Sequence, residues 1–174
     1  MIYFHGGRGA GGPGERHAIV FGINPGDKGA VSKSANRWLR ICDELTKGYS
    51  DTFELAELIQ KSTSDTAELA MTGNIDAMIR DGAEQNLRLV RSRRPKIVIQ
   101  CGLSVCPSVE SAYRLADAGV RIRRPIATGW LLRRFKMENG TPWIAIRHPT
   151  GRSGFDSYDL AAVNRFASEV LKAA

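Results

Sequence analysis

The sequence predicts an α/β fold, a three-layer α/β/α sandwich around a mainly parallel sheet. Three short, mainly apolar runs predict the strands: Ala18-Ile19-Val20-Phe21, Ile97 to Gln100 and Trp143 to Arg147. Consecutive apolar residues, rather than alternating ones, mark strands buried on both faces. Amphipathic helical segments stand between these runs, and strands alternating with helices give parallel sheets covered on both sides.

The elements follow in order. Residues 5–14 read HGGRGAGGPG. A phosphate-binding loop would need a preceding strand and a closing Gly-Lys-Ser/Thr, and neither is present. Residues 1–17 therefore read as a flexible glycine-rich leader, and 18–174 as a single domain. The first strand ends in the tight loop Gly22-Ile23-Asn24-Pro25-Gly26. A helix follows from about Lys33 to Lys47, with Ser34 as N-cap and Trp38, Ile41, Cys42 and Leu45 on its core face. Phe53 to Ile59 fits a strand or a helix. Ile75 to Arg93 is a helix whose basic end (Arg88, Arg91, Arg93, Arg94) suits its dipole, and Pro95 stops it. After the second strand come Gly102-Leu103-Ser104 and a helix near Ser108 to Ala118. Arg121 to Arg134, arginine-rich around Pro125 and Gly129, is a basic loop or an irregular hairpin. The third strand runs into His148-Pro149-Thr150-Gly151-Arg152-Ser153-Gly154. A last helix, Ser157 to Lys172, gathers Leu160, Val163, Ala167, Val170 and Leu171 on one face.

Composition narrows the function classes. A chain of 174 residues with 43% hydrophobic and 25% charged residues can bury a core without staples. No apolar run is long enough to span a membrane, and the N-terminus lacks an apolar signal core, so a cytoplasmic protein is expected. The formal net charge of +7 fits a polyanionic partner, or simply a basic soluble protein. Cys42, Cys101 and Cys106 make neither a disulfide framework nor a zinc or iron–sulfur ligand set, and read as small buried residues.

Two loops carry the candidate chemistry. Both leave the C-terminal ends of buried strands, the edge where open α/β sheets bind ligands. One offers Asn24 and Asp27, the other His148, Thr150, Arg152 and Ser153. On neighbouring strands these groups would converge on one crevice.

Together the loops resemble a known pair. Gly22-Ile23-Asn24-Pro25-Gly26 resembles the first signature of the mismatch-specific branch of the uracil-DNA glycosylase superfamily, and His148-Pro149-Thr150-Gly151-Arg152-Ser153 resembles the second signature of the superfamily. Weaker matches lie between them in order: Ala35-Asn36-Arg37-Trp38, Leu58 to Thr63, and Pro95 to Gly102. The resemblance spans about residues 18 to 172. It implies a central four-stranded sheet and a monofunctional DNA glycosylase that extrudes a base and hydrolyses its N-glycosidic bond, leaving an abasic site. Asn24 would orient the attacking water, and His148 would donate to the departing anionic base. Ile23, Gly26, Asp27 and Glu57 would hold the base, and Gly102, Ser104, Thr150, Gly151, Arg152 and Ser153 would contact DNA. Arg152 stands at the wedge position, where leucine is common in the superfamily. The pairing of Asn24 with His148 and Arg152 is closer to the single-strand-selective branch, because the mismatch-specific branch usually has Asn at the His148 position.

The expected partner is DNA, the expected state a monomer, and no metal or organic cofactor is needed. No lysine stands inside either signature, so no Schiff base is expected, although Lys28 is close.

The sequence also departs from the family. The segment between Gly26 and Asn36 is short and holds no aromatic residue to stack on the base; Trp38, Phe53 or Trp130 could substitute. The arginines at 121, 123, 124, 133 and 134 offer either a backbone-tracking surface or a solvated basic face. Glu57 as a carboxylate accepts hydrogen bonds only, which favours a base with an amino group, such as a cytosine N4. The expected substrate is therefore a uracil-type base or a modified cytosine, including hypermodified phage bases in a host-defence setting. Two alternatives are a non-catalytic DNA-binding protein on the same fold and a nucleotide-binding α/β protein, which would lack a phosphate-loop lysine.

Overall fold

The computed structural model describes residues 17–23, 34–59, 73–149 and 154–173. Of the expected leader at 1–17, residues 1–16 fall outside them, while His17 is no leader residue but begins the first strand, paired with Thr52. The loops holding Asn24 to Lys28 and Thr150 to Ser153 and the side chain of Trp38 also fall outside. In chain order the elements are β1 (His17–Gly22), α1 (Ser34–Thr46), β2 (Thr52–Glu57), α2 (Ile75–Arg93), β3 (Ile97–Cys101), α3 (Cys106–Ala112), β4 (Ala116–Arg123), β5 (Trp130–Lys136), β6 (Pro142–Ile146) and α4 (Ser157–Lys172). A single 3-10 turn, Leu103–Val105, separates β3 from α3.

The sheet has six strands in the order β2-β1-β3-β6-β5-β4. The first four run parallel, while β5 and β4 are antiparallel additions. The α/β class follows the sequence, but the expected four-stranded sheet is too small. The extra strands come from the arginine-rich stretch, which forms an antiparallel hairpin with two irregularities in its register. Strand β4 is the sheet edge and most of its side chains are exposed, so it lacks the apolar run that marks a buried strand. The helix expected to reach Ala118 ends at Ala112 instead. Arg114 takes a left-handed conformation (φ 52°) and turns the chain into β4.

The ambiguous segment 53–59 supplies a strand, Thr52–Glu57, because Phe53 and Leu55 face one core and Ala56 the other. Alternation of side chains along each parallel strand builds two apolar layers. On one face, Ile19, Phe21, Val98 and Trp143 pack with Ile79, Val90 and Val109 of α2 and α3. There Phe21 stacks on Trp143 at 5.4 Å, with Tyr113 against both rings. On the other face, Val20, Ile99 and Ile144 pack with Cys42 and Leu45 of α1 and Val163 and Ala167 of α4. Helices thus cover both faces.

Caps define the helix ends. Asn74 accepts from the Asp76 and Ala77 amides at the start of α2, and Arg94 (φ 49°) closes it ahead of Pro95. Asp156 and Asp159 form a reciprocal capping box on α4. Helix α1 begins at Ser34, and the side chain of Ser34, the expected cap, lies outside the described residues.

Candidate functional site

Parallel strands deliver their C-terminal ends to one edge, and the register aligns them there. Gly22 of β1 lies opposite Glu57 of β2; Phe21 lies opposite Gln100, which brings Gly22 beside Cys101; and Cys101 lies opposite Ile146 of β6. Glu57, Gly22, Cys101 and Ile146 therefore form one transverse row on the face covered by α1 and α4. Asn24 follows Gly22 by two positions, and His148 follows Ile146 by two. Strands β1 and β6 are not neighbours, since β3 lies between them, so their exits stand two strand spacings apart, roughly 9–10 Å.

Glu57 leans over the end of β1. A Cβ built on Gly22 would lie 2.3 Å from Glu57 Oε2 and 2.9 Å from its carboxyl carbon, so the acid lies where the glycine leaves space for it. Its backbone is fixed from the opposite face. The Glu57 carbonyl accepts from Asn86 Nδ2 at 3.0 Å, and Asn86 also donates to the Tyr113 hydroxyl at 2.7 Å. At Gly82 helix α2 comes so near that a Cβ would sit 2.5 Å from the Leu58 carbonyl oxygen.

Burial pushes the Glu57 carboxyl up to about 8. At neutral pH it is mainly the neutral acid, which donates through its hydroxyl as well as accepting. That changes the acceptor-only character expected from its residue type. Nearby, burial and then the Glu57 charge push the Cys42 thiol up. Burial, Cys42 and Glu57, in that order, do the same for Cys101. Cys42, Cys101 and Cys106 are all buried and free, as the sequence suggests.

The β3 turn stitches the edge together. Gly102 (φ 119°) would place a Cβ 2.8 Å from Ile23 Cδ1, and its amide donates to the Ile146 carbonyl at 2.8 Å. Gln100, fully buried, donates to the Gly102 carbonyl at 2.9 Å and accepts from the Trp143 indole at 3.0 Å. Of the expected base-binding residues, Ile23 is buried against Gly102, and its carbonyl already accepts from the Ile59 amide at 2.8 Å. Among the expected DNA contacts, Gly102 is buried in this turn and Ser104 is exposed in the next.

His148 is half-buried, and burial lowers its pKa below the ordinary imidazole value. It is therefore neutral at pH 7 and donates only through one ring nitrogen. The chain around it is held at both sides. Arg147 donates its amide to the Leu131 carbonyl at 2.8 Å, and Phe155 donates to the Pro149 carbonyl at 3.3 Å, which closes the loop on itself.

A clamp that the sequence did not reveal holds the returning end of this loop. Arg124 is 7% exposed and Asp159 is fully buried, and the guanidinium grips Asp159 through both Nε and Nη2. Its Nη2 also donates to the Gly154 carbonyl at 3.3 Å and lies 3.5 Å from Asp156. Arg124 thus leaves the proposed phosphate-tracking set, because a buried, paired guanidinium cannot reach a phosphate. Arg133 is 2.8 Å from Asp117 and 3.8 Å from Glu110. Arg121 is 3.6 Å from Asp117, so the basic surface is smaller than the sequence suggests. Arg123 lies over the Trp130 ring at 4.6 Å.

Among the rings that could replace the missing stacking residue, Phe53 is buried opposite Ala18, away from the row. Trp130 is 43% exposed and lies near the end of β6. Asn24, Gly26, Asp27, Thr150, Gly151, Arg152 and Ser153 lie outside the described residues. Among the described residues, no cluster of His, Cys, Asp and Glu could hold a metal ion, and no helix is long and apolar enough to cross a membrane.

No protein-family model matches this chain. No curated protein matches it either. One solved structure that overlays on it is a domain of unknown function (DUF1537) from Bordetella bronchiseptica, with bound citrate, at a TM-score of 0.41 and 12% identity. The alignment covers 96% of this chain, which spans 42% of that one. A likeness of this degree assigns neither fold family nor function.

Proposed function

We propose that this chain is a monofunctional DNA glycosylase of the uracil-DNA glycosylase superfamily type, acting on DNA as a monomer without metal or organic cofactor. The observation that supports it best is the common edge. The two signature-like loops leave the sheet at matched offsets from one transverse row, on either side of β3. That gap suits a single extruded nucleoside, with one loop reaching its sugar and the other its base.

In this reading Asn24 holds water below the sugar. An amide positions the nucleophile but does not take its proton as a carboxylate would. As the glycosidic bond stretches, its electron pair moves onto the base. His148, neutral because it is half-buried, donates a hydrogen bond to that growing anion. Water adds its oxygen to the sugar carbon and gives up a proton that ends on the departed base anion, so the products are the free neutral base and an abasic site. Arg152 fills the vacated stack, and Gly26 and Asp27 border the base.

Glu57 reads the base edge. As a neutral acid it presents one donor and one acceptor, which match both a uracil-type and a cytosine-type edge. The segment after Gly26 is short and has no aromatic residue, which would leave room for a substituent. The proposed substrates are therefore uracil-type bases and modified cytosines, including hypermodified phage bases, with anti-phage defence as one setting. Oligonucleotides carrying uracil, hypoxanthine or a hypermodified cytosine, scored for abasic sites, test this. Cleavage at the modified cytosine is expected, and cleavage of uracil alone would rule out the modified-base assignment. A non-catalytic DNA-binding protein would bind all three and cut none.

A further inference from the structure

We propose that the tip of the β4–β5 hairpin is a stacking platform for an unpaired nucleotide of the DNA strand, next to the one held at the sheet edge. This rests on the reading of the polymer as DNA, but not on base excision.

Exposed apolar bulk is concentrated there. Among the described residues the large apolar side chains left in solvent are Ile126 (67% exposed), Trp130 (43%) and Tyr158 (59%). Ile126 lies at the hairpin tip, Trp130 starts β5, and Tyr158 sits in the first turn of α4. The buried Arg124–Asp159 pair ties the tip to that turn, so the three residues border one region.

The register places this region at the candidate site. Leu132 lies opposite Ile146, and the Arg147 amide meets the Leu131 carbonyl, so Trp130 comes level with His148. Gly129 (φ 101°) would put a Cβ 3.4 Å from Arg147 Nη1, which brings that guanidinium under the tip.

The chemistry favours nucleic acid. Arg123 covers one face of Trp130 at 4.6 Å and holds the ring with a positive charge at its side. The ring stays 43% exposed, and a base would stack on that exposed part. Every base has a π-face, so stacking beside an arginine is a sequence-tolerant way to hold a single strand. Of the nearby acids, Asp159 is buried and paired with Arg124, and Asp156 is offset in part by the same guanidinium at 3.5 Å. In single-stranded DNA the neighbouring base is already unpaired and available to stack there.

The test is binding of the full chain to a fluorescently labelled oligothymidine of about 15 nucleotides, at fixed salt, followed by anisotropy and by tryptophan quenching. Trp130→Ala is expected to weaken binding about tenfold and to remove most of the quench, while Trp130→Phe binds nearly as the parent does. Ile126→Asp, at a largely solvated position, is expected to weaken binding several-fold without altering thermal unfolding. Unchanged binding in Trp130→Ala and Ile126→Asp would overturn the platform, as would equal losses in the Ala and Phe variants. Trp130-dependent binding with no excision of any base offered would leave the platform standing and remove the glycosylase reading. Excision with Trp130-independent binding would do the reverse.

Discussion

The Glu57 carboxyl rests against the Gly22 backbone so closely that a side chain at Gly22 would have its Cβ 2.3 Å from Oε2. The two residues are cross-strand partners at the ends of β1 and β2. The glycine that opens the first signature thus gives this carboxyl its place. Gly22→Ala is expected to make the Glu57 carboxyl swing aside, at a cost of about 1 kcal/mol, because the added Cβ meets only the far end of that side chain. In a Glu57→Ala background the same change should cost much less. A double-mutant cycle by denaturant unfolding measures the coupling, and simple additivity would contradict the contact.

Glu57 also predicts a pH dependence of stability. Its folded pKa, about 8, exceeds the reference value of 4.5. Between those values the unfolded chain has lost a proton that the native state keeps. Stability is therefore full below about pH 4.5 and is lost as pH rises through about 8. Glu57→Gln removes this titration. The variant should gain on the parent from pH 5 to 9, by about 2–4 kcal/mol at the alkaline end. Parallel stability–pH curves for the two proteins would show that the acid is not buried as described.

The same titration bears on substrate choice. Below pH 8 the neutral acid accepts either a uracil-type or a cytosine-type edge; above it the carboxylate only accepts, and favours bases that present an amino group. The ratio of cytosine-type to uracil-type excision is expected to rise through that pH and to be flat in Glu57→Gln. A ratio independent of pH in the parent would remove Glu57 from base reading.

Arg124 positions the second loop without touching a substrate. It binds Asp159, Asp156 and the Gly154 carbonyl together. Lysine keeps the charge but not the fork. Arg124→Lys should speed hydrogen exchange of the amides at 150–156 and lower excision, with oligonucleotide binding less affected. Unchanged exchange in that segment would show that the clamp does not hold the loop.

Several parts of this arrangement were legible in the sequence. The buried runs at 18–21, 97–100 and 143–147 gave three of the parallel strands, because burial on both faces demands uninterrupted apolar residues. Other parts were hidden for physical reasons. The β4–β5 hairpin is edge structure whose charged side chains face water, so it carries no core pattern. Arg124 looks like its neighbours in sequence, and only the fold separates a clamp from a surface charge. The order β1-β3-β6 depends on crossovers, and so β1 and β6 flank β3 instead of touching. The protonation of Glu57 comes from its surroundings, which no single residue type announces.

The most direct test compares the parent with Asn24→Ala on one labelled oligonucleotide carrying the best-cleaved base, measuring abasic-site formation and binding in the same samples. The account predicts that excision falls by at least about a hundredfold while affinity stays within a few-fold of the parent. Full excision by Asn24→Ala, or no abasic product from the parent on any base offered, would contradict it.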